Sequence, residues 1–224
     1  MKVIAHRGFS QSYPENTLLA FRKALELGVD GIEADLSLSR DKKAIIFHDN
    51  NLKRITGIEQ ATETLTLEQL QKLDVGEGEH IPSLDELLQL IQARVTLVLE
   101  IKYTPSTYKK LCEVINASIH DKLEWVEISS FEDAVLEFMH RLNPKIKLHK
   151  LISKASVLRD TGFEKRYHYV SYLDIKIILA KTALPMDLFS QYKIIFWTVS
   201  QEDIETAKKA GLYAIMTDDP TQFL

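Results

Sequence analysis

The chain has 224 residues, 28 Lys plus Arg against 32 Asp plus Glu, a formal net charge of −4 and one cysteine. That length suits one sizeable core, so a single domain over 1–224 is expected, and no apolar run approaches the roughly 18 residues of a membrane span. One thiol, Cys112, excludes an internal disulfide and a cysteine-clustered metal site; the net negative charge argues against nucleic acid as a partner; and residues 1–6 lack the apolar core of a signal peptide, so a reducing, cytoplasmic setting is expected.

Short apolar, β-rich runs alternate with helical patterns along the chain. Lys2–His6 reads as a strand and 14–27 as a helical stretch with apolar Leu18, Leu19, Phe21, Leu25 and Leu27, stopped by Gly28. Gly31–Leu38 reads as the second strand and 44–47 as a short hairpin partner. Further strands are expected at 95–101, 125–129, 146–152, 167–172, 194–199 and 213–216. Helix-start chemistry falls between them: Thr66-x-x-Gln69, Ser83-x-x-Glu86, Thr104-Pro105 and Ser130-x-x-Asp133. With 44–47 set aside as a hairpin, eight major strands remain, the count of a closed (β/α)₈ barrel in the α/β class. An open doubly wound sheet is the alternative. Neither G-x-G-x-x-G after the first strand nor G-x-x-x-x-G-K-[ST] is present, so no dinucleotide or P-loop motif supports it.

Polar residues gather at the carboxyl ends of the predicted strands, which form the active-site face of a parallel barrel. His6-Arg7-Gly8 pairs an imidazole with a guanidinium suited to phosphate oxygens. Glu33 and Asp35, two apart in a strand, share a face; two inward carboxylates call for a cation, and hard oxygen donors suit Mg²⁺ or Ca²⁺. Both could instead point outward to solvent, the apolar Ile32, Ala34 and Leu36 then facing in. Glu100 and Lys102 repeat the spacing, either completing the acidic set with a point charge for phosphate or forming a structural pair at the rim. His48-Asp49 supplies a second imidazole, so one proton can be given and another taken. Two histidines, a metal and phosphate-gripping cations suggest phosphoryl chemistry. Trp197 could wall the pocket or pack in the core. His80, His120, His140, His149 and His168 read as surface or structural, and Met139, Met186 and Met216 as core filler. Residues 141–166 hold eight Lys or Arg and two acids, a solvated face or a weak peripheral contact for anionic lipid.

Together these stretches form one ordered pattern: Ile4-Ala5-His6-Arg7-Gly8, Pro14-Glu15-Asn16-Thr17, Gly31-Ile32-Glu33-Ala34-Asp35, His48-Asp49-x-x-Leu52-x-Arg54, Ile81-Pro82-Ser83-Leu84, Glu100-Ile101-Lys102, Trp197-Thr198-Val199 and Thr217-Asp218-Asp219-Pro220. The sequence resembles the glycerophosphodiester phosphodiesterase family from residue 4 to residue 220. The resemblance implies a TIM barrel of the phospholipase-C-like phosphodiesterase type that hydrolyses a small-molecule glycerophosphodiester to an alcohol and sn-glycerol 3-phosphate, with one divalent cation, Mg²⁺ or Ca²⁺, Mn²⁺ being a third candidate. It implies His6 and His48 as the acid and base, Glu33, Asp35 and Glu100 as metal ligands, Arg7 and Lys102 as phosphate contacts and Trp197 as the pocket tryptophan. In such enzymes the substrate's own glycerol hydroxyl attacks phosphorus, and water opens the cyclic phosphate that results. Glu15 and Asn16 are assigned to organising the first loop. Ser200 in place of Asn after Trp-Thr-Val, and Ile55 within Arg54-Ile55-Thr56-Gly57, depart from the family pattern without removing a catalytic group. Two further readings keep the fold: cleavage of lysophospholipids in the manner of a lysophospholipase D, and a catalytically silent phosphate-binding barrel.

Overall fold

The computed structural model describes residues 1–186 and 191–224, and its backbone closes into a barrel. Eight parallel strands form the ring: β1 (Lys2–His6), β2 (Gly31–Leu38), β4 (Thr96–Ile101), β5 (Val126–Ser130), β6 (Leu148–Ile152), β7 (Tyr172–Lys176), β8 (Lys193–Trp197) and β9 (Ala214–Thr217). β1 pairs with both β2 and β9, which closes it. β3 (Ala44–Ile46) lies antiparallel on β2 outside the ring, the expected hairpin. Period-2 alternation divides the strand residues into two sets. Val3, Ala5, Ile32, Ala34, Leu36, Leu97 and Leu99 belong to the large core between sheet and helices. Ile4, Val98, Tyr172, Ile195, Ala214 and Met216 form a second cluster. A third, of Ile45, Phe47, Leu52, Leu70 and Ile81, anchors the segment that follows β3.

Local chemistry explains the elements that frame the barrel mouth. The helix Leu18–Leu27 is capped by Thr17, whose Oγ1 accepts the Ala20 N–H, and ends at Gly28 in the left-handed region with φ 81°. Gly8, also at φ 81°, lets this helix close on β1: a Cβ there would stand 2.7 Å from the Ala20 carbonyl carbon. Both capping boxes read at Thr66/Gln69 and Ser83/Glu86 form.

Three expectations are corrected. Ser130 does not cap the helix Asp133–Leu142, which starts from Glu132; its hydroxyl instead donates to the Ile101 carbonyl and ties β5 to β4. Thr104-Pro105 lies ahead of the helix Tyr108–Ile119, whose N-cap is Thr107 with no side-chain capping bond. The strand expected at 167–172 falls at Tyr172–Lys176. Tyr167 instead closes the short helix Phe163–Arg166, and the charged Asp174 inside Tyr-Leu-Asp-Ile-Lys hides a strand whose other face is apolar. Among the described residues no helix is long and apolar enough to cross a membrane.

Candidate active site

Strand register assembles the site. His6 of β1 lies beside Glu33 of β2, and Asp35 of β2 beside Glu100 of β4. Since paired residues of parallel neighbours project to one face, four side chains from three strands meet at the carboxyl end of the barrel. Glu33, Asp35 and Glu100 are buried, with one ligand oxygen from each within 4.8 Å of the others. Ile32, Ala34 and Leu36 pack outward in the large core, so the alternation points both acids of β2 inward.

Two cations answer the three acids. Lys102 Nζ stands 2.6 Å from Glu100 Oε1 and 2.8 Å from Asp35 Oδ1, and Arg7 Nε is 3.1 Å from Asp35 Oδ2. Arg7 itself adopts φ 57°, uncommon for a side-chain-bearing residue, which turns its backbone N–H onto Glu33 Oε2 at 3.0 Å. Asn16, at φ 59°, clamps Asp35 twice: its Nδ2 donates to Oδ2 at 2.7 Å and its Oδ1 accepts the Asp35 N–H at 3.2 Å. Glu15 accepts from both Arg7 and Arg54. The first loop is thus organised by Glu15 and Asn16 as expected.

The balance is incomplete. Glu33 Oε1 is buried with no hydrogen-bond partner, and the Asp35 Oδ1 and Arg7 Nε contacts fall outside hydrogen-bond geometry. Burial, with the Asp35 and Glu100 charges added, holds the Glu33 carboxyl well above the usual carboxylate range. Burial also pushes Glu100 up to about 7, against the pull of Lys102. For Asp35 the burial effect is outweighed by Lys102 and Arg7, which keep it ionised and well below that range. Three buried carboxyls with an unpartnered oxygen among them are the donor set of a hard divalent cation, so Glu33, Asp35 and Glu100 fit the metal expected of them.

Both imidazoles are tied back by an acid. His6 Nδ1 is 2.6 Å from Asp218 Oδ1, leaving Nε2 3.9 Å from Glu33 Oε2. His48 Nδ1 is 2.6 Å from Asp49 Oδ1, and Arg54 Nε donates to the other Asp49 oxygen at 2.6 Å. Burial lowers the His48 pKa, favouring the neutral ring. A proton-exchanging Nε2 on each ring, with Nδ1 fixed by a carboxylate, is an arrangement capable of general acid–base work.

A cavity of about 280 Å³ brings His6, Arg7, Glu33, His48, Glu100 and Lys102 to one space, with Phe131, Leu151, Lys176, Trp197 and Met216 on its other side. Trp197 therefore lines the cavity; its indole N–H donates to the Asp174 carbonyl at 2.9 Å and Phe131 meets it edge-on at 5.6 Å. Met216, read as core filler, is buried but borders the same space. Asp218 makes a contact that no local pattern in the sequence marks: it lies 212 positions from His6, and only the closure of β9 on β1 brings the two together. Of the surface and structural roles expected of it, His149 takes the structural one. It is fully buried, its Nδ1 3.0 Å from Asp174 and its Nε2 3.0 Å from Glu127. In the basic segment, Lys147, Lys150 and Arg166 are paired with Glu127, Asp133 and Asp160.

Residues 6–222 match the sequence model of the glycerophosphoryl diester phosphodiesterase family. A glycerophosphodiester phosphodiesterase of Caldanaerobacter subterraneus subsp. tengcongensis is 35% identical, the match covering 97% of this chain and 94% of that protein. One from Bacillus altitudinis is 30% identical over 98% of this chain and 95% of its own length. Among solved structures, an Oleispira antarctica phosphodiesterase in complex with the product sn-glycerol-3-phosphate shares the fold with a TM-score of 0.88 at 26% identity, covering 99% of this chain and 94% of that one.

Proposed function

The chain belongs to the glycerophosphoryl diester phosphodiesterase family, and on that premise we propose that it hydrolyses glycerophosphodiesters to an alcohol and sn-glycerol 3-phosphate. The observation that carries the reading is the convergence of three buried carboxyls, one oxygen unpartnered, beneath two carboxylate-anchored imidazoles. Glu33, Asp35 and Glu100 hold a divalent cation, Mg²⁺, Ca²⁺ or Mn²⁺, which when bound neutralises phosphate charge and makes a nearby hydroxyl more acidic.

The chain's own groups do the rest. Arg7 and Lys102, fixed around Asp35 and lining the cavity, offer N–H donors to a phosphate that shares their space. One imidazole accepts the proton of the attacking glycerol hydroxyl at Nε2, while the other donates one to the departing alcohol oxygen. Water then opens the cyclic phosphate with the two roles exchanged, so both rings return to their starting states. Asp218 and Asp49 keep each ring's Nε2 facing the cavity. Trp197 walls the space occupied by the carbon skeleton. A single cysteine, Cys112, with no disulfide partner suits a reducing, cytoplasmic setting.

The test is metal-stripped protein assayed on a panel of glycerophosphodiesters, with Mg²⁺, Ca²⁺ and Mn²⁺ restored separately and products followed by phosphorus NMR. Metal-dependent release of glycerol phosphate is expected, lost in His48→Ala without a change in melting temperature. Protein that binds the diesters yet turns none over with any of the three ions would leave the silent-barrel reading in its place.

A further inference from the structure

A phosphodiester held at one point extends two arms, and the structure offers two spaces for them. The inner one is the 280 Å³ cavity. The outer one is a groove of about 640 Å³ that shares His48 and Lys102 with it and runs past Asn50, Asn51, Lys53, Arg54, Glu59 and Tyr103.

A cationic alcohol such as choline or ethanolamine needs a carboxylate without a partner or a set of open aromatic faces. The inner cavity has the rings but not the open face. Lys176 is the register neighbour of Trp197 across β7 and β8, and its ammonium lies 5.8 Å from the Trp197 ring centroid, on the side of the cavity away from the β2 and β4 acids. Lys176 is itself exposed, and no acid pairs with it among the described residues. The carboxyls that border this space, Glu33 and Glu100, are those assigned to the cation. In the outer groove the acids are already matched: Asp49 holds Arg54 at 2.6 Å and Glu59 holds Lys53 at 3.0 Å. Its one ring, Tyr103, packs on Tyr108 at 5.0 Å rather than in a cage. What the groove does present is two amides, a phenol and ion-paired side chains, the partners of hydroxyl groups.

We propose that this chain selects glycerophosphodiesters whose alcohol is uncharged, and that Lys176 is the residue that turns cationic alcohols away. The proposal rests on the hydrolase reading for its substrate class, and it places the alcohol arm in the inner cavity, which Lys176 lines and the outer groove does not share. A like charge within several ångströms in a partly screened mouth supports discrimination of about tenfold.

The sharpest probe is a pair of diesters differing in one atom: glycerophosphocholine and its 3,3-dimethylbutyl counterpart, in which carbon replaces the quaternary nitrogen. Two measurements separate the proposal from the reading beneath it. Turnover of the pair and of glycerophosphoglycerol by wild-type protein with Mg²⁺, Ca²⁺ or Mn²⁺ tests the hydrolase reading. Calorimetric binding of the intact pair to Ca²⁺-loaded His48→Ala protein tests the charge preference, whatever happens to turnover. The neutral diester is expected to bind about tenfold more tightly. Adding Lys176→Gln should bring the ratio close to one, Lys176→Glu should invert it, and Lys176→Arg should preserve it. A ratio that favours choline in the Lys176 protein, or one that Lys176→Gln and Lys176→Glu leave unchanged, overturns the proposal. So does a Lys176→Gln effect of equal size on both diesters, which would make Lys176 a phosphate contact.

Discussion

The barrel holds two clusters of buried charge with similar ingredients and opposite finish. At the ends of β1, β2 and β4, Glu33, Asp35 and Glu100 face Arg7 and Lys102 with one carboxylate oxygen unpartnered and two close contacts misaligned. Across β5, β6 and β7, Glu127 and Asp174 face His149, and every carboxylate is used. His149 contacts Asp174 and Glu127 through its two ring nitrogens, Tyr172 donates its hydroxyl to Glu127 at 2.9 Å, and Lys147 adds a third partner. The Tyr172 ring stacks on His149 at 4.0 Å. Burying charge is costly in both places, but the second cluster offsets that cost internally and the first does not. A closed network belongs to the architecture; an open one at a strand end is where an external ion and a phosphate fit.

That contrast can be broken from either side. The largest effect is expected at the open cluster: Glu100→Gln should lower turnover by about 10³-fold or more at saturating metal, since it removes a charged donor from the cation site. Its melting temperature should hold or rise, because a repelling acid has gone. Loss of stability with activity kept would mean that the clusters have exchanged roles. At the closed cluster, His149→Leu should cost about 3–5 kcal/mol of stability by leaving Glu127 and Asp174 buried and uncompensated. Turnover per folded molecule should stay at the wild-type value, as judged by denaturant melts beside active-site-normalised assays.

The closed cluster should also give the protein a pH signature. Burial opposes a charged His149, but Asp174 and Glu127 overcome it and push its pKa up to about 9 from an ordinary value near 6.5. A raised pKa contributes stability that is full below about pH 6.5 and lost as pH rises through about 9, on the order of 3 kcal/mol. Glu127 works in the opposite direction: against its burial, His149 holds it down to about 2, so its contribution is present above about pH 4.5 and lost as pH falls towards 2. Melting curves from pH 5 to 10 should show the alkaline loss in wild-type protein and a flatter profile in His149→Leu.

The two clusters differed as much in how far the sequence disclosed them. The open one was legible because each of its pairs is local: Glu33-Ala34-Asp35 and Glu100-Ile101-Lys102 carry the strand period within three residues. What three residues do not show is register, and register sets Asp35 beside Glu100. The hydrogen bonds of the closed cluster join residues 20 to 45 positions apart, with no short motif to mark it. Its Asp174 also disguised β7, because a charge inside a strand is intelligible only once the histidine opposite is known. Helix starts followed the same division. Ser83/Glu86 works within four residues and was readable, whereas Ser130 spends its hydroxyl on the Ile101 carbonyl of a neighbouring strand.

Asp218 tests the ground between these cases. Its side chain is 46% exposed, so it is part of no buried network, yet it holds His6 Nδ1 at 2.6 Å and accepts from Ser10 Oγ at 3.2 Å. Burial would raise its pKa, but the hydrogen bond from His6 brings it below the ordinary aspartate range, so it is a carboxylate at neutral pH. Replacing that carboxylate by an amide keeps the shape and removes the charge that fixes the ring. Asp218→Asn should therefore lower kcat by about 10–100-fold with little change in KM or melting temperature. The matching Asp49→Asn should act through His48, but there the amide also releases Arg54, so some loss of order around Glu15 should accompany it. If Asp218→Asn cost stability instead of rate, the His6 anchor would belong with Glu127 and Asp174, and satisfaction of charge alone would no longer separate the working end of this barrel from its frame.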